Sequence, residues 1–132
     1  MLPLLVWPRP TSTGKLGYIR TRMDSLDDLI RRSHDTPILL FKHSATCGTS
    51  AMAFDELEGF RQAAPEVTVV IVDVLRDRAL AREIAATFGI RHESPQALLL
   101  QDGSVRWHAS HYRVTADALA RAVGALSQTS AG

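Results

Sequence analysis

The chain has 132 residues, with 15 Lys+Arg against 14 Asp+Glu and a formal net charge of +1. That length suits one domain with a real core, and 45% hydrophobic against 22% charged residues argues against a disordered chain. A single cysteine, Cys47, excludes an intramolecular disulfide and a Cys-rich zinc cage, and the near-neutral charge gives no footprint for nucleic acid.

The charge is unevenly spread. Arg9, Lys15, Arg20 and Arg22 make residues 1–22 basic, with no acid among them, so residues 23–132 carry a small negative excess. The opening apolar run Met1–Trp7 is too short for a membrane span or a signal peptide. Pro, Ser, Thr and Gly then cluster from Pro8 to Gly17. Residues 1–22 therefore read as a basic, flexible lead-in and residues 23–132 as the domain, with Met23 a second candidate start that opens a helix. Thr13-Gly14-Lys15 lacks the flanking glycine and hydroxyl of a phosphate loop.

Ser25 followed by Asp28 resembles a capping box, and Leu26, Leu29 and Ile30 share one helix face that runs toward Pro37. Ile38-Leu39-Leu40-Phe41 is a short apolar run, the pattern of a strand covered on both faces, and the segment Lys42 to Thr46 follows it. A second helix is predicted from Gly48 to Arg61, with Ala53, Leu57 and Phe60 inside, Asp55, Glu56 and Glu58 in water, and Met52 and Phe54 in the core. β-Branched residues dominate Val67–Val74, the clearest strand. Leu80, Ile84 and Phe88 mark a third helix, closed by Gly89. Asp102-Gly103 between Ala97–Leu100 and Val105–Trp107 is a hairpin signal, and Thr115 caps a last helix presenting Leu119, Val123 and Leu126. The order α-β-α-β-α-β-β-α predicts an α/β fold, a four-stranded mixed sheet with helices on both faces. That is a thioredoxin-like arrangement.

Cys47 falls where the first strand gives way to a helix. Amide groups of that first turn, from Gly48 and Thr49, are placed to stabilise an anion. Only the thiolate attacks disulfides: a thiol of pKa ~8.5 is about 3% ionised at pH 7, whereas pKa ~6 gives about 90%. Ser50 stands three residues on, where a dithiol enzyme keeps its resolving cysteine. Its hydroxyl can donate to a thiolate but cannot expel it from a mixed disulfide, so the expected chemistry is monothiol. A buried, inert cysteine is the competing reading, and the polar neighbours Ser44, Thr46, Thr49 and Ser50 argue against it.

Arg91-His92-Glu93-Ser94-Pro95-Gln96 precedes the hairpin. The Ser94–Pro95 step suits either a cis peptide or an ordinary trans proline opening an edge strand. In a thioredoxin layout this loop faces the thiol, where the Ser94 backbone can pair with an extended substrate segment. His43 and His92 are candidate cations supporting the thiolate, His92 also a substrate-binding residue. His108 and His111 lack the partners of a metal site, and no metal is expected.

Phe41-Lys42-His43-Ser44 with Cys47, Ser50 and Ala51, then Arg91–Gln96, then Trp107-His108-Ala109-Ser110-His111, resembles the YtxJ-type monothiol bacilliredoxins over roughly residues 23–126. The resemblance implies a cytoplasmic thioredoxin-like enzyme that removes bacillithiol from mixed disulfides on proteins, with Cys47 the nucleophile and Pro95 the cis-proline. It implies S-thiolated client proteins, a small thiol and its reductase as partners, no nucleic acid or membrane, and no tightly bound cofactor. Gly48-Thr49 stand where that family usually carries Pro-Ile. This makes Cys47-Gly48-Thr49-Ser50 similar also to the Cys-Gly-Phe-Ser glutaredoxins, so an iron–sulfur carrier is the alternative, with a non-catalytic peptide-binding module the third reading.

Overall fold

Strand pairing sets the frame. The computed structural model describes residues 18–20, 25–46 and 48–131, with side chains placed over 25–46 and 48–126. In chain order the elements are β1 (Tyr18–Arg20), α1 (Leu26–Arg32), β2 (Ile38–His43), α2 (Gly48–Ala63), β3 (Thr68–Asp73), α3 (Arg78–Phe88), β4 (Gln96–Gln101), β5 (Ser104–Ser110), a 3-10 turn (His111–Arg113) and α4 (Ala116–Ala131). The sheet order is β1-β3-β2-β4-β5. β2 runs parallel to β3 and antiparallel to β4, and β4 runs antiparallel to β5. The four expected strands form the expected mixed sheet. A fifth, Tyr18–Arg20, adds to its edge in parallel with β3, inside the stretch read as a lead-in. Three residues with little apolar periodicity of their own are placed by pairing with β3, which a local pattern does not reveal.

Alternation along β2 feeds two cores. Leu39 and Phe41 point to one face, packing with Val69, Leu99 and the α2 and α4 residues Ala53, Leu57, Phe60, Leu119 and Leu126. Ile38 and Leu40 point to the other, with Val70, Val72, Leu98 and Leu100 against Leu26 and Leu29 of α1 and Ala81 and Ile84 of α3. Burial on both faces is why these strands read as continuous apolar runs.

Several boundaries differ from the sequence reading. Ser25 does cap α1, its hydroxyl accepting from the Asp28 amide at 3.1 Å, so the helix starts at Leu26; Met23 lies outside the described residues. The helix also ends at Arg32, well before Pro37. The Ser33 hydroxyl donates to the Ile30 carbonyl at 2.6 Å and accepts from the Gly103 amide at 2.9 Å, while the Ser33 carbonyl accepts from the Asp102 amide at 2.8 Å. The chain is thereby diverted onto the hairpin turn. There Asp102 (φ 54°) and Gly103 (φ 81°) take the left-handed angles of a tight two-residue hairpin. A Cβ on Gly103 would lie 3.2 Å from His34 Nε2. At the other end β2 continues through Lys42 and His43, two residues beyond the apolar run Ile38–Phe41. Met52 is 57% exposed rather than core, because it falls on the outer side of α2. Glu56 is more than a solvated residue: its carboxylate accepts from the Ala116 amide at 2.7 Å and ties α2 to the start of α4. Thr115 also caps α4, accepting from the Ala118 amide at 3.1 Å.

Candidate thiol site

The carboxyl end of β2 carries Lys42 and His43, and α2 begins five residues after His43, at Gly48. Cys47, which the chain places between Thr46 and Gly48, lies outside the described residues. Around it the connecting loop is held by Ser50, whose fully buried hydroxyl accepts from the Ser44 amide at 3.2 Å. Ser44 and Thr46 share a hydrogen bond between their hydroxyls at 3.2 Å. The first turn of α2, with Gly48 and Thr49, contains no acidic residue, so no carboxylate competes there with another anion.

His43 stacks on Phe41 with ring centres 5.9 Å apart and lies 5.2 Å from Phe54. Its Nδ1 is buried and has no hydrogen-bond partner among the described residues. Burial pulls its pKa below the ordinary imidazole value, outweighing the nearby Asp73 carboxylate. Burial therefore favours the neutral ring at His43 over the cation that the sequence reading offered.

Register delivers the second half of the site. Lys42 pairs with Gln96, so the residues before Gln96 lie beside the end of β2. The Ser94–Pro95 peptide is cis. The strand it opens is an interior one, between β2 and β5, and not an edge. The Pro95 carbonyl accepts from the His111 amide at 2.9 Å, and the Gln96 side chain donates to the Arg91 carbonyl at 3.0 Å. Ser94 Oγ is buried without a hydrogen-bond partner among the described residues. Glu93 accepts from the Ser110 hydroxyl, and this bond holds its carboxyl below the usual range.

Lys42 is the residue the sequence reading missed. It is 0% exposed, and its Nζ lies 3.1 Å from Nδ1 of His92. Burial brings its pKa down to about 8, against the opposing pull of Glu93. His92 falls below its ordinary value as well, through burial and then the charges of Lys42 and Arg82. As at His43, the surroundings of His92 favour the neutral ring. A lysine directly after four apolar residues was the available signal, hidden because a lysine at a run's end ordinarily marks the exit to solvent. His111 (φ 53°) and the exposed Tyr112 border a small concavity with Thr49, Met52, Glu56 and Val114, on the α2 side of the loop that carries Cys47. His108, by contrast, projects outward from β5.

The sequence model of the family described as monothiol bacilliredoxin BrxC matches residues 20–119. The chain belongs to the monothiol bacilliredoxins. Among solved structures it is similar to a candidate oxidoreductase with a thioredoxin fold, at 28% identity and a TM-score of 0.70, covering 80% of this chain and 92% of that one. It is also similar in fold to mitochondrial thioredoxin 3 of Saccharomyces cerevisiae in its oxidised form, at 19% identity, TM-score 0.62, and 83% and 95% coverage. A thioredoxin of Fasciola hepatica matches at 21% identity with a TM-score of 0.58, over 75% of this chain and 88% of that one. This bacilliredoxin thus has the thioredoxin fold and belongs with the thiol–disulfide oxidoreductases. Among its described residues no helix is long and apolar enough to cross a membrane.

Proposed function

We propose that this bacilliredoxin removes a low-molecular-weight thiol, of the bacillithiol kind, from mixed disulfides on cytoplasmic client proteins. The observation that carries the reading is Ser50: at the resolving position stands a buried hydroxyl engaged with the Ser44 amide, in a chain whose only thiol is Cys47. The Cys47 thiolate attacks the sulfur of the small thiol, the Cys47–S bond forms as the mixed disulfide breaks, and the client leaves as its thiolate. A second small-thiol thiolate then attacks the adduct, releasing the small-thiol disulfide and restoring Cys47; a separate reductase recycles that disulfide. Gly48 and Thr49 supply helix-end amides to the Cys47 thiolate, and neutral His43 supplies an apolar wall. Ser94 and cis Pro95 offer backbone to the extended client segment.

Incubating the protein with a bacillithiolated client and weighing both products tests this directly. The small-thiol adduct is expected on Cys47, with the client freed. Release at the same rate from the Cys47→Ala protein would overturn the reading.

A further inference from the structure

Lys42 has no structural need to be charged. It sits on the same strand face as Ile38 and Leu40, which pack against α1 and α3, and is fully buried there. A buried ammonium is costly unless paired, and among the described residues no carboxylate lies within ion-pair distance of it. Glu93, the acid whose charge it feels, is already hydrogen-bonded to Ser110 and has Arg91, His108 and His111 around it. The described partner of the ammonium is an imidazole nitrogen, His92 Nδ1.

That contact has a direction. At pH 7 an ammonium can only donate, so Nδ1 accepts and the ring proton must sit on Nε2. His92 is exposed, which leaves its Nε2–H on the outer side of the ring, backed by the positive charge of buried Lys42. Arg82 of α3 adds to the positive potential at the same ring. His92 stands three residues before cis Pro95, on the α3 side of the sheet.

We propose that Lys42 and His92 form an anion subsite that holds a carboxylate of the small thiol. The proposal rests on the thiol-exchange reading and names how the two halves of the mixed disulfide are told apart. A cation-backed N–H donor suits a compact carboxylate. Lys42 is a positioning residue here, since it fixes the tautomer and charge of His92.

The test uses one cysteine-containing client peptide in mixed disulfide with either 3-mercaptopropionate or 2-mercaptoethanol, which differ in carboxylate against hydroxyl. Adduct formation on Cys47 is expected to favour the carboxylate by about tenfold, as for one charge-assisted hydrogen bond. The preference resides in KM and falls to within about twofold in Lys42→Met and His92→Gln, since an exposed charge contact alone is worth little. Both variants are informative, because methionine nearly matches the lysine volume and His92 lies on an exposed loop. An equal preference in wild type and variants overturns the proposal, as does a preference that follows an Asp placed in the peptide instead of the small thiol. Independently of exchange, titrating the Cys47→Ala protein with propionate should move the His92 ring resonance saturably, and not in the Cys47→Ala, Lys42→Met double variant. No saturable shift overturns the subsite even if exchange proceeds. A saturable shift with no exchange overturns the functional reading and leaves the subsite standing.

Discussion

The two ends of β2 solve the same problem in opposite ways. At the Ile38 end the hairpin turn is closed: the backbone and hydroxyl of Ser33 satisfy the amides of both Asp102 and Gly103. At the His43 end three buried polar atoms, His43 Nδ1, Ser94 Oγ and Gln96 Oε1, have no hydrogen-bond partner among the described residues, and a buried lysine leans on a histidine. Buried polar groups are ordinarily paired, because leaving one unmade costs about 1–3 kcal/mol. One end is committed to stability, and the other keeps hydrogen-bonding capacity in reserve beside the loop that carries Cys47.

Substitutions at each end sharpen that contrast. Phe41→Ala removes the ring on which His43 stacks and should cost about 3–5 kcal/mol, read from urea unfolding. Water admitted to the cavity should also raise the His43 pKa toward its ordinary value, followed by ring resonances against pH. Ser33→Ala at the closed end should cost about 1–3 kcal/mol by stripping the Gly103 amide of its acceptor, while leaving the rate of Cys47 alkylation unchanged. If alkylation slows as well, the two ends are coupled and the division fails.

Lys42→Met should have the smallest effect, within about 1 kcal/mol at pH 7 or stabilising, because it exchanges a buried ion for an apolar chain of similar volume. Its pH dependence is the sharper readout. The folded pKa of about 8 lies below the unfolded value of about 10.4, so the charge penalises the fold in full below pH 8. That penalty fades as pH rises from 8 toward 10.4, and wild-type stability relative to Lys42→Met should climb across the same window. Thermal unfolding of both proteins between pH 7 and pH 10 measures it; parallel curves would mean that Lys42 is hydrated.

The elements were legible because their signals are local. Continuous apolar runs at Ile38–Phe41 and Val67–Val74, the Asp102-Gly103 turn and the Ser25 and Thr115 caps each carry their physics within a few residues. Boundaries were less so where a distant partner decided them. Ser33 ends α1 because a hairpin 70 residues away takes its hydroxyl. Glu56 looks like any exposed acid until α4 presents its Ala116 amide. The same holds for Lys42: nothing in the sequence says that a lysine closing an apolar run stays buried, since that depends on β3 and β4 flanking it and on α3 covering the face.

By itself the sequence determined that the chain carries a single thiol, Cys47, with no second one to resolve a mixed disulfide. It also determined the α/β order and the serine at the resolving position, because these depend on residue identity and spacing. The tertiary structure decided which buried polar groups lack partners among the described residues, and which histidines are pushed toward the neutral form. It also brought Lys42, from one strand, against His92, 50 positions away. Charge state and hydrogen-bond satisfaction depend on which atoms exclude water from which, and that is set only when the sheet closes.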